Sequence, residues 1–295
     1  MNPNNNSALY TKFYVKSTTT LLPFVLEALN GISRSKAKTI LTHGGIRVNN
    51  SIVKQHDFPL TPGMLVEISK SKPKETLTSK FIKIVYEDRS LVVIEKNPGI
   101  LSMGTSHHAL CVKTILDEYF RRSKQKCTAH VVHRLDRDTS GLMLYAKNIQ
   151  TQQALINNWQ EAVEKRSYVA LCSGTPSPES GTIRSWLTEN KAFFTLSSPT
   201  DNGGKLAITH YNTLESNARY ALVEFNLETG RKNQIRVHCQ SMCCPVCGDP
   251  KYGNADDPIG RLALHAFRLH FYHPVTNELM KFETPIPPSF KKTLK

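Results

Sequence analysis

Regular apolar spacing begins near residue 18, after an Asn-rich polar start. Leu21, Leu22, Val25, Leu26 and Leu29 recur at helical intervals, and Asn30-Gly31 ends that pattern. Ser33 is placed to cap a second helix with Ala37, Ile40 and Leu41 on its apolar side, and Gly44-Gly45 breaks it. Ile46-Arg47-Val48 and Ile52-Val53 flank Asn49-Asn50-Ser51, a hairpin signature, and a short strand over 65–68 follows Pro62-Gly63. Beyond residue 80 strand patterns dominate. Runs at 82–86 and 91–94 bracket a turn at 87–90, 168–171 reads as a strand, 220–227 is the clearest strand, and a last hairpin turns at 274–277. Val112, Ile115, Leu116, Tyr119 and Phe120 mark one helix; Ala154, Leu155 and Trp159 mark another, capped near Asn148. Strands interrupted irregularly by helices predict an α+β fold on a mostly antiparallel, mixed β-sheet with flanking helices. The predicted division is a polar flexible N-terminus over 1–17, a small α/β domain over 18–70, a basic linker over 71–80 and a large domain over 81–295.

Charge narrows the class of partner. The 295 residues carry 38 Lys and Arg against 24 Asp and Glu, a net charge of +14. That surplus favours a polyanion, with nucleic acid ahead of an anionic membrane surface. Residues 1–80 hold 11 Lys and Arg against 4 Asp and Glu, so charge density is more than twice as high there as in the rest. No apolar run approaches the roughly 20 residues that span a bilayer, and the first residues lack the basic start and apolar middle of an export signal. A cytoplasmic protein is expected. Three of the seven Cys are scattered and four crowd into 239–247, an odd count that argues against a disulfide framework. Zinc knuckles usually come as two separated pairs. Small buried thiols are therefore expected at Cys239, Cys243, Cys244 and Cys247, with a metal site as the alternative.

The segment most charged with chemistry is His133-Arg134-Leu135-Asp136-Arg137-Asp138-Thr139-Ser140-Gly141, set between two apolar runs. Such a loop can hold a carboxylate ionised and present it rigidly to a polar substrate. A plain strand–turn–strand connection closed by Ser-Gly is the competing reading. His-Arg-Leu-Asp followed by Asp-Thr-Ser-Gly resembles the signature of the RluA-type pseudouridine synthases. In that family the Asp of the motif is the nucleophile that isomerises uridine in RNA, which implies Asp136.

Further segments resemble the same family in the same order. Lys96-Asn97-Pro98-Gly99-Ile100-Leu101 is similar to its Lys-Pro-x-Gly-Leu loop, with an Asn inserted. Lys165-Arg166-Ser167-Tyr168 matches its Lys-x-x-Tyr, which implies Tyr168 in the active site. Gly230 to His238 follows Gly-Arg-Thr-His-Gln-Ile-Arg-x-His, except that Lys232-Asn233 replaces Thr-His. Gly248-Asp249-Pro250-Lys251-Tyr252-Gly253 and Leu264-His265-Ala266 follow in turn. The two short helices and basic hairpin resemble the S4 RNA-binding domain, most closely at Ser33 to Ala37 and Gly45 to Asn49.

These resemblances imply a catalytic set of Asp136, Tyr168 and Arg236. Arg236 would favour the charged form of Asp136. Tyr168 would pack on the uracil and exchange a proton through its hydroxyl, while Ile235 and Leu264 wall the pocket. The target base must be extruded from folded RNA, and the planar Arg134 can fill the vacated stack or hold phosphates. Arg34, Lys36, Lys38 and Arg47 are candidate phosphate contacts, with a merely solvated basic face as the alternative. Arg231 and His238 stand between an RNA contact and a structural role. His133 reads as a structural His bonding backbone, and Asp138 as a loop hydrogen-bond acceptor. The reaction needs neither a redox cofactor nor a metal. The implied substrate is large-subunit ribosomal RNA, acted on by a monomer with no obligate protein partner. A transfer RNA substrate, a non-catalytic RNA-binding role in ribosome assembly and an Asp-nucleophile hydrolase remain as other readings. Whether Asp136 attacks C1′ or C6 stays open.

Overall fold

In the computed structural model, which describes residues 10–69, 77–104 and 109–295, the chain divides between Thr76 and Leu77 into two units. The smaller runs β1 (Tyr10–Tyr14), β2 (Thr19–Thr20), α1 (Leu21–Ala28), α2 (Arg34–Thr42), β3 (Ile46–Val48), β4 (Ser51–Ile52), β5 (Pro59–Leu60) and β6 (Leu65–Ser69). Four strands form an antiparallel sheet in the order β1-β6-β3-β4, and β2 pairs with β5. Leu21, Leu22 and Val25 of α1 and Ala37 and Leu41 of α2 bury against Ile46, Val48, Val66 and Ile68. Ser33 caps α2 by accepting from the Lys36 N–H at 3.3 Å. Asn49 and Asn50 both take positive φ (48° and 69°), which is the two-residue turn that a right-twisted hairpin prefers.

One expectation fails here. Part of the N-terminus read as flexible over 1–17 is strand β1, paired along its whole length with β6. Its polar composition conceals a period of two: Phe13 packs on the core while Lys12 and Tyr14 point the other way. Most of the predicted linker, residues 71–76, lies outside the described residues, and Leu77 already packs on the core of the larger unit.

The larger unit contains β7 (Ile82–Glu87), β8 (Leu91–Lys96), α3 (Val112–Arg122), β9 (His130–Val131), β10 (Ser140–Ala146), α4 (Ile149–Asn157), α5 (Trp159–Ala162), β11 (Lys165–Ser173), β12 (Ser180–Glu189), β13 (Thr195–Ser198), β14 (Lys205–Ser216), β15 (Tyr220–Leu227), α6 (Gln234–Ser241), β16 (Leu264–Tyr272), β17 (Leu279–Glu283) and α7 (Pro288–Lys292). Its sheet has eleven strands. Nine follow the order β13-β12-β14-β15-β11-β16-β10-β8-β7, while β17 pairs with β16 and β9 with β10. The helix marked by Ala154, Leu155 and Trp159 is in fact two, α4 and α5, interrupted at Asn158; Asn148 caps the first by accepting from the Thr151 N–H at 2.8 Å. β8, β10, β11, β15 and β16 are buried almost throughout, as befits central strands covered on both faces.

One pairing is parallel and very short. β10 meets β16 only at Ser140 opposite His265 and Gly141 opposite Ala266. Gly141 has φ +119°, and a Cβ there would lie 2.2 Å from the Ala266 carbonyl oxygen. Only glycine allows the two strands this approach. Gly141→Ala is expected to cost about 3 kcal/mol or more through backbone strain and overlap, seen as a lowered denaturation midpoint. An unchanged midpoint would contradict so close an approach.

Candidate active site

The motif loop joining β9 to β10, residues 132–139, sits at the end of this parallel contact. It is clamped by the segment following β8. The Ser102 hydroxyl donates to the Leu135 carbonyl at 2.7 Å and accepts from the Leu135 N–H at 3.1 Å. The Arg137 carbonyl accepts from the Lys96 ammonium at 2.7 Å and from the Gly99 N–H at 3.0 Å. Leu135 is the loop's buried anchor, and the Thr139 N–H closes a turn onto the Asp136 carbonyl at 3.2 Å. Lys96 is fully buried; burial pulls its ammonium down to about 8, against the opposing pull of Asp138 and Asp136. The Asp136 side chain, 27% exposed, therefore stands on a fixed loop facing an open pocket.

The opposite wall of that pocket is the start of α6. Arg236 makes two parallel hydrogen bonds to Asp249, Nε to Oδ2 at 2.7 Å and Nη2 to Oδ1 at 2.6 Å. Its remaining Nη1 donates to Asn233 Oδ1 at 2.8 Å and reaches Asp136 Oδ2 at 3.5 Å. Burial opposes the charge on Arg236, but Asp249, joined by Asp136, outweighs it and holds the guanidinium above its ordinary value. Burial likewise works against Asp249, yet Arg236 and the N–H groups of Tyr252 and Lys251 hold its carboxyl below the usual range. Asn233 has φ +57°, a conformation Asn tolerates, and its amide donates to the Tyr252 hydroxyl at 3.1 Å. The departure from Thr-His at 232–233 thus supplies a neutral amide that braces Arg236. Tyr252 lies under the guanidinium with its ring centre 5.0 Å away.

Between these walls stand Tyr168 from β11, Ile235 from α6 and Leu264 from β16. Together with Arg134, Asp136, Arg231 and Arg236 they line a pocket of about 390 Å³. Burial raises the Tyr168 hydroxyl, with Arg166 opposing and Asp136 adding, so it stays protonated at neutral pH. A wider cavity of about 1030 Å³ continues from Asp136 and Tyr168 past His133, Trp159, Arg166 and Lys232. Arg134 is exposed where the two cavities meet; Arg231 lines both while its Nε donates to the Leu206 carbonyl at 2.9 Å.

Several candidates are structural. His133 Nε2 accepts from the Leu144 N–H at 2.9 Å, and burial followed by the Arg166 charge drives its pKa down to about 3. The backbone it binds is that of β10. His238 is fully buried between the Ser185 and Thr209 hydroxyls, each at 2.9 Å, and burial lowers it to about 4. Asp138 accepts from the neighbouring Arg137 guanidinium at 3.1 Å. Of the cluster cysteines, Cys239, Cys244 and Cys247 are buried and Cys243 is exposed. Among the described residues no group of His, Cys, Asp and Glu is disposed to hold a metal ion.

In the small unit Arg34 and Lys38 lie one turn apart on one stripe of α2, both exposed, whereas Lys36 lies on another side of the helix. Arg47 is half-buried on β3, its guanidinium stacked 4.6 Å from the Tyr10 ring. The supporting roles of Lys96, Ser102, Asp249 and Tyr252 were not assigned from sequence. Three of them lie within motif segments already singled out, but nothing local marks Ser102.

The chain also matches known proteins along most of its length. A family model described as RNA pseudouridylate synthase matches residues 90–241, and the S4 domain model matches 21–66. The chain is 33% identical over 276 residues to YjbO, a Bacillus subtilis protein named as an uncharacterized RNA pseudouridine synthase, covering 90% of this chain and 95% of that one. It is 33% identical over 274 residues to ribosomal large subunit pseudouridine synthase D of Neisseria meningitidis, covering 86% of this chain and 72% of that one. The solved structure of human RNA pseudouridylate synthase domain containing 4 superposes with a TM-score of 0.59 at 26% identity, covering 72% of this chain and 91% of that one.

The Arg236–Asp249 pair gives a test. Asp249→Asn leaves a buried guanidinium without its counter-charge and is expected to cost about 3–5 kcal/mol at pH 7. Because folding depresses the Asp249 pKa, its contribution is complete above the unfolded carboxyl value of about 4 and is lost as pH falls through the folded value. Denaturation midpoints across pH 2–7 should therefore fall less steeply below pH about 4 in Asp249→Asn than in wild type. Parallel acid limbs would contradict the pairing.

Proposed function

The chain belongs to the RNA pseudouridylate synthase family, and from that premise we propose that it isomerises uridines of large-subunit ribosomal RNA with Asp136 as nucleophile. The observation that carries the assignment is the Asp136 carboxylate, 3.5 Å from a guanidinium that is itself fixed by Asp249, in a pocket walled by Tyr168, Ile235 and Leu264. Arg236 faces the carboxylate with a fixed positive charge and aims it. Asp136 attacks the extruded nucleoside at C1′ or C6; the C1′–N1 bond breaks, the uracil turns within the pocket, a C1′–C5 bond forms, and the bond to Asp136 breaks to return the free carboxylate. The Tyr168 hydroxyl, whose ring packs on the base, takes up the C5 proton as it passes its own on, and N1, freed from C1′, takes up a proton in exchange. Substrate and product are isomers, so the balance requires neither oxidant nor reductant.

RNA binding draws on separate cations. Arg134 and Arg231 at the pocket mouth hold the strand around the flipped nucleotide, and Arg34, Lys36, Lys38 and Arg47 of the S4 domain hold phosphates elsewhere. The ribosomal substrate is supported by the Neisseria relative, whose name specifies the large subunit. Among the described residues no helix is long and apolar enough to cross a membrane, and an RNA substrate of this kind supports the cytoplasm as the place of action.

Two measurements follow. With RNA carrying 5-tritiated uridine, wild type should release tritium from large-subunit ribosomal RNA. Asp136→Asn should bind that RNA with near wild-type affinity and release none. Turnover by the variant at near wild-type rate removes Asp136 as nucleophile, and release from transfer RNA alone removes the ribosomal substrate. In a separate titration, Arg34→Glu with Lys38→Glu should weaken RNA binding and lower its log–log salt slope by about 0.7–0.9 for each phosphate that is no longer neutralised. An unchanged slope would mean that this stripe of α2 does not hold RNA.

A further inference from the structure

The cleft at Asp136 does not end at Lys232. A further cavity of about 940 Å³ is lined by Glu189, Thr195, Lys205, Gly230, Arg231 and Lys232, among others. It shares Gly230, Arg231 and Lys232 with the cavity that contains Asp136 and Tyr168. One wall of it is the β12–β13 hairpin, and at the tip of that hairpin stands Phe193.

Phe193 is an unusual residue for that place. It is 70% exposed, and its φ is +60°, a conformation that costs a non-glycine residue about 1 kcal/mol or more. Asn or Gly would fill such a turn without strain and without presenting an aromatic ring to water. The turn is nevertheless rigid. Asn190 Oδ1 accepts from the Ala192 N–H at 3.0 Å and the Phe194 N–H at 2.9 Å, and the Lys251 ammonium donates to the Phe193 carbonyl. Phe194 packs edge-on against Tyr252 with centroids 6.0 Å apart, and Tyr252 in turn lies under Arg236. The hairpin tip is thereby braced on the same group that positions Asp136.

Two lysines and one glutamate stand about the hairpin tip. Lys232 Nζ lies 5.7 Å from the Phe193 centroid and is held there by Glu189 at 2.5 Å. Lys251 Nζ lies 4.5 Å from the Phe194 centroid. An exposed aromatic ring with a lysine ammonium beside it and a second lysine at the same hairpin tip matches one ligand chemistry well: an unpaired nucleobase on the ring, with its phosphates on lysines of the adjoining cleft.

Resting on the RNA-modifying reading above, we propose that Phe193 is a stacking platform for an unpaired base of the substrate RNA that flanks the target uridine, with Lys232 and Lys205 holding the adjoining phosphates. Phe193 does not touch the reacting atoms. It fixes the strand on one side of the flipped nucleotide and so contributes to the choice of uridine.

The test uses the full chain and a large-subunit RNA fragment accepted by wild type in the tritium assay, with 2-aminopurine placed in turn on each side of the target. Phe193→Asn suits the positive φ and removes the ring; Phe193→Trp keeps an aromatic face. In Phe193→Asn, KM is expected to rise about ten-fold, in line with the loss of one stacked base, while kcat stays within about two-fold. Quenching of 2-aminopurine at one flanking position should be present in wild type and Phe193→Trp and lost in Phe193→Asn. The salt slope of binding should be the same in all three, because stacking releases no counterions. A wild-type KM and quench in Phe193→Asn overturns the stacking role. Failure of wild type to release tritium from any RNA overturns the functional reading instead, so the two failures are distinguishable.

Discussion

A guanidinium and a carboxylate, both withdrawn from water, meet as Arg236 and Asp249, and the pocket is arranged around that pair. A buried charge of this kind is tolerated only when its hydrogen-bonding directions are filled. Two of the Arg236 bonds go to Asp249 and one to Asn233, which leaves Nη1 able to face Asp136 as well. The Asp249 carboxylate also accepts the N–H groups of Lys251 and Tyr252, so the segment after α6 is folded by the same contact that orients the arginine. Tyr252 then carries the arrangement outward, under Arg236 on one side and against Phe194 on the other.

The proposed nucleophile is held by an independent device. Its loop is polar and would wander if left to water, but Ser102 grips both backbone groups of Leu135, and Lys96 and Gly99 converge on the Arg137 carbonyl. These bonds act on the residues either side of Asp136 and leave its carboxylate free to face substrate. The two halves of the site therefore rest on different elements, one on β8 and the segment after it, the other on α6. β10, which follows the loop of Asp136, meets β16, which carries Leu264, in the short parallel contact where Gly141 permits a backbone approach that no side chain would.

Much of this was legible in the residues. The apolar periods located α1, α2, α3 and most central strands, because those elements bury one clear face. Asp136, Tyr168, Ile235, Arg236 and Leu264 were all picked out by motif, and they line a single pocket. Strand β1 escaped notice because its polar residues mask an alternation only Phe13 reveals. The break at Asn158 escaped because both short helices keep the same apolar side. Ser102 carried no signal, since its role depends on a fold that sets it against Leu135, thirty-three positions away. Where the sequence shows only a departure from Thr-His at 232–233, the structure shows Asn233 bracing Arg236 from a left-handed position that Asn accommodates.

The central claim is that the Asp136 carboxylate, aimed by Arg236, meets a uridine held against Tyr168. A crystal structure of Asp136→Asn bound to RNA bearing the target uridine addresses it directly. The account predicts an extruded uracil packed on the Tyr168 ring between Ile235 and Leu264, with C1′ or C6 about 3–3.5 Å from the side chain at position 136. A uracil left stacked in the RNA, or seated away from that side chain, would contradict it.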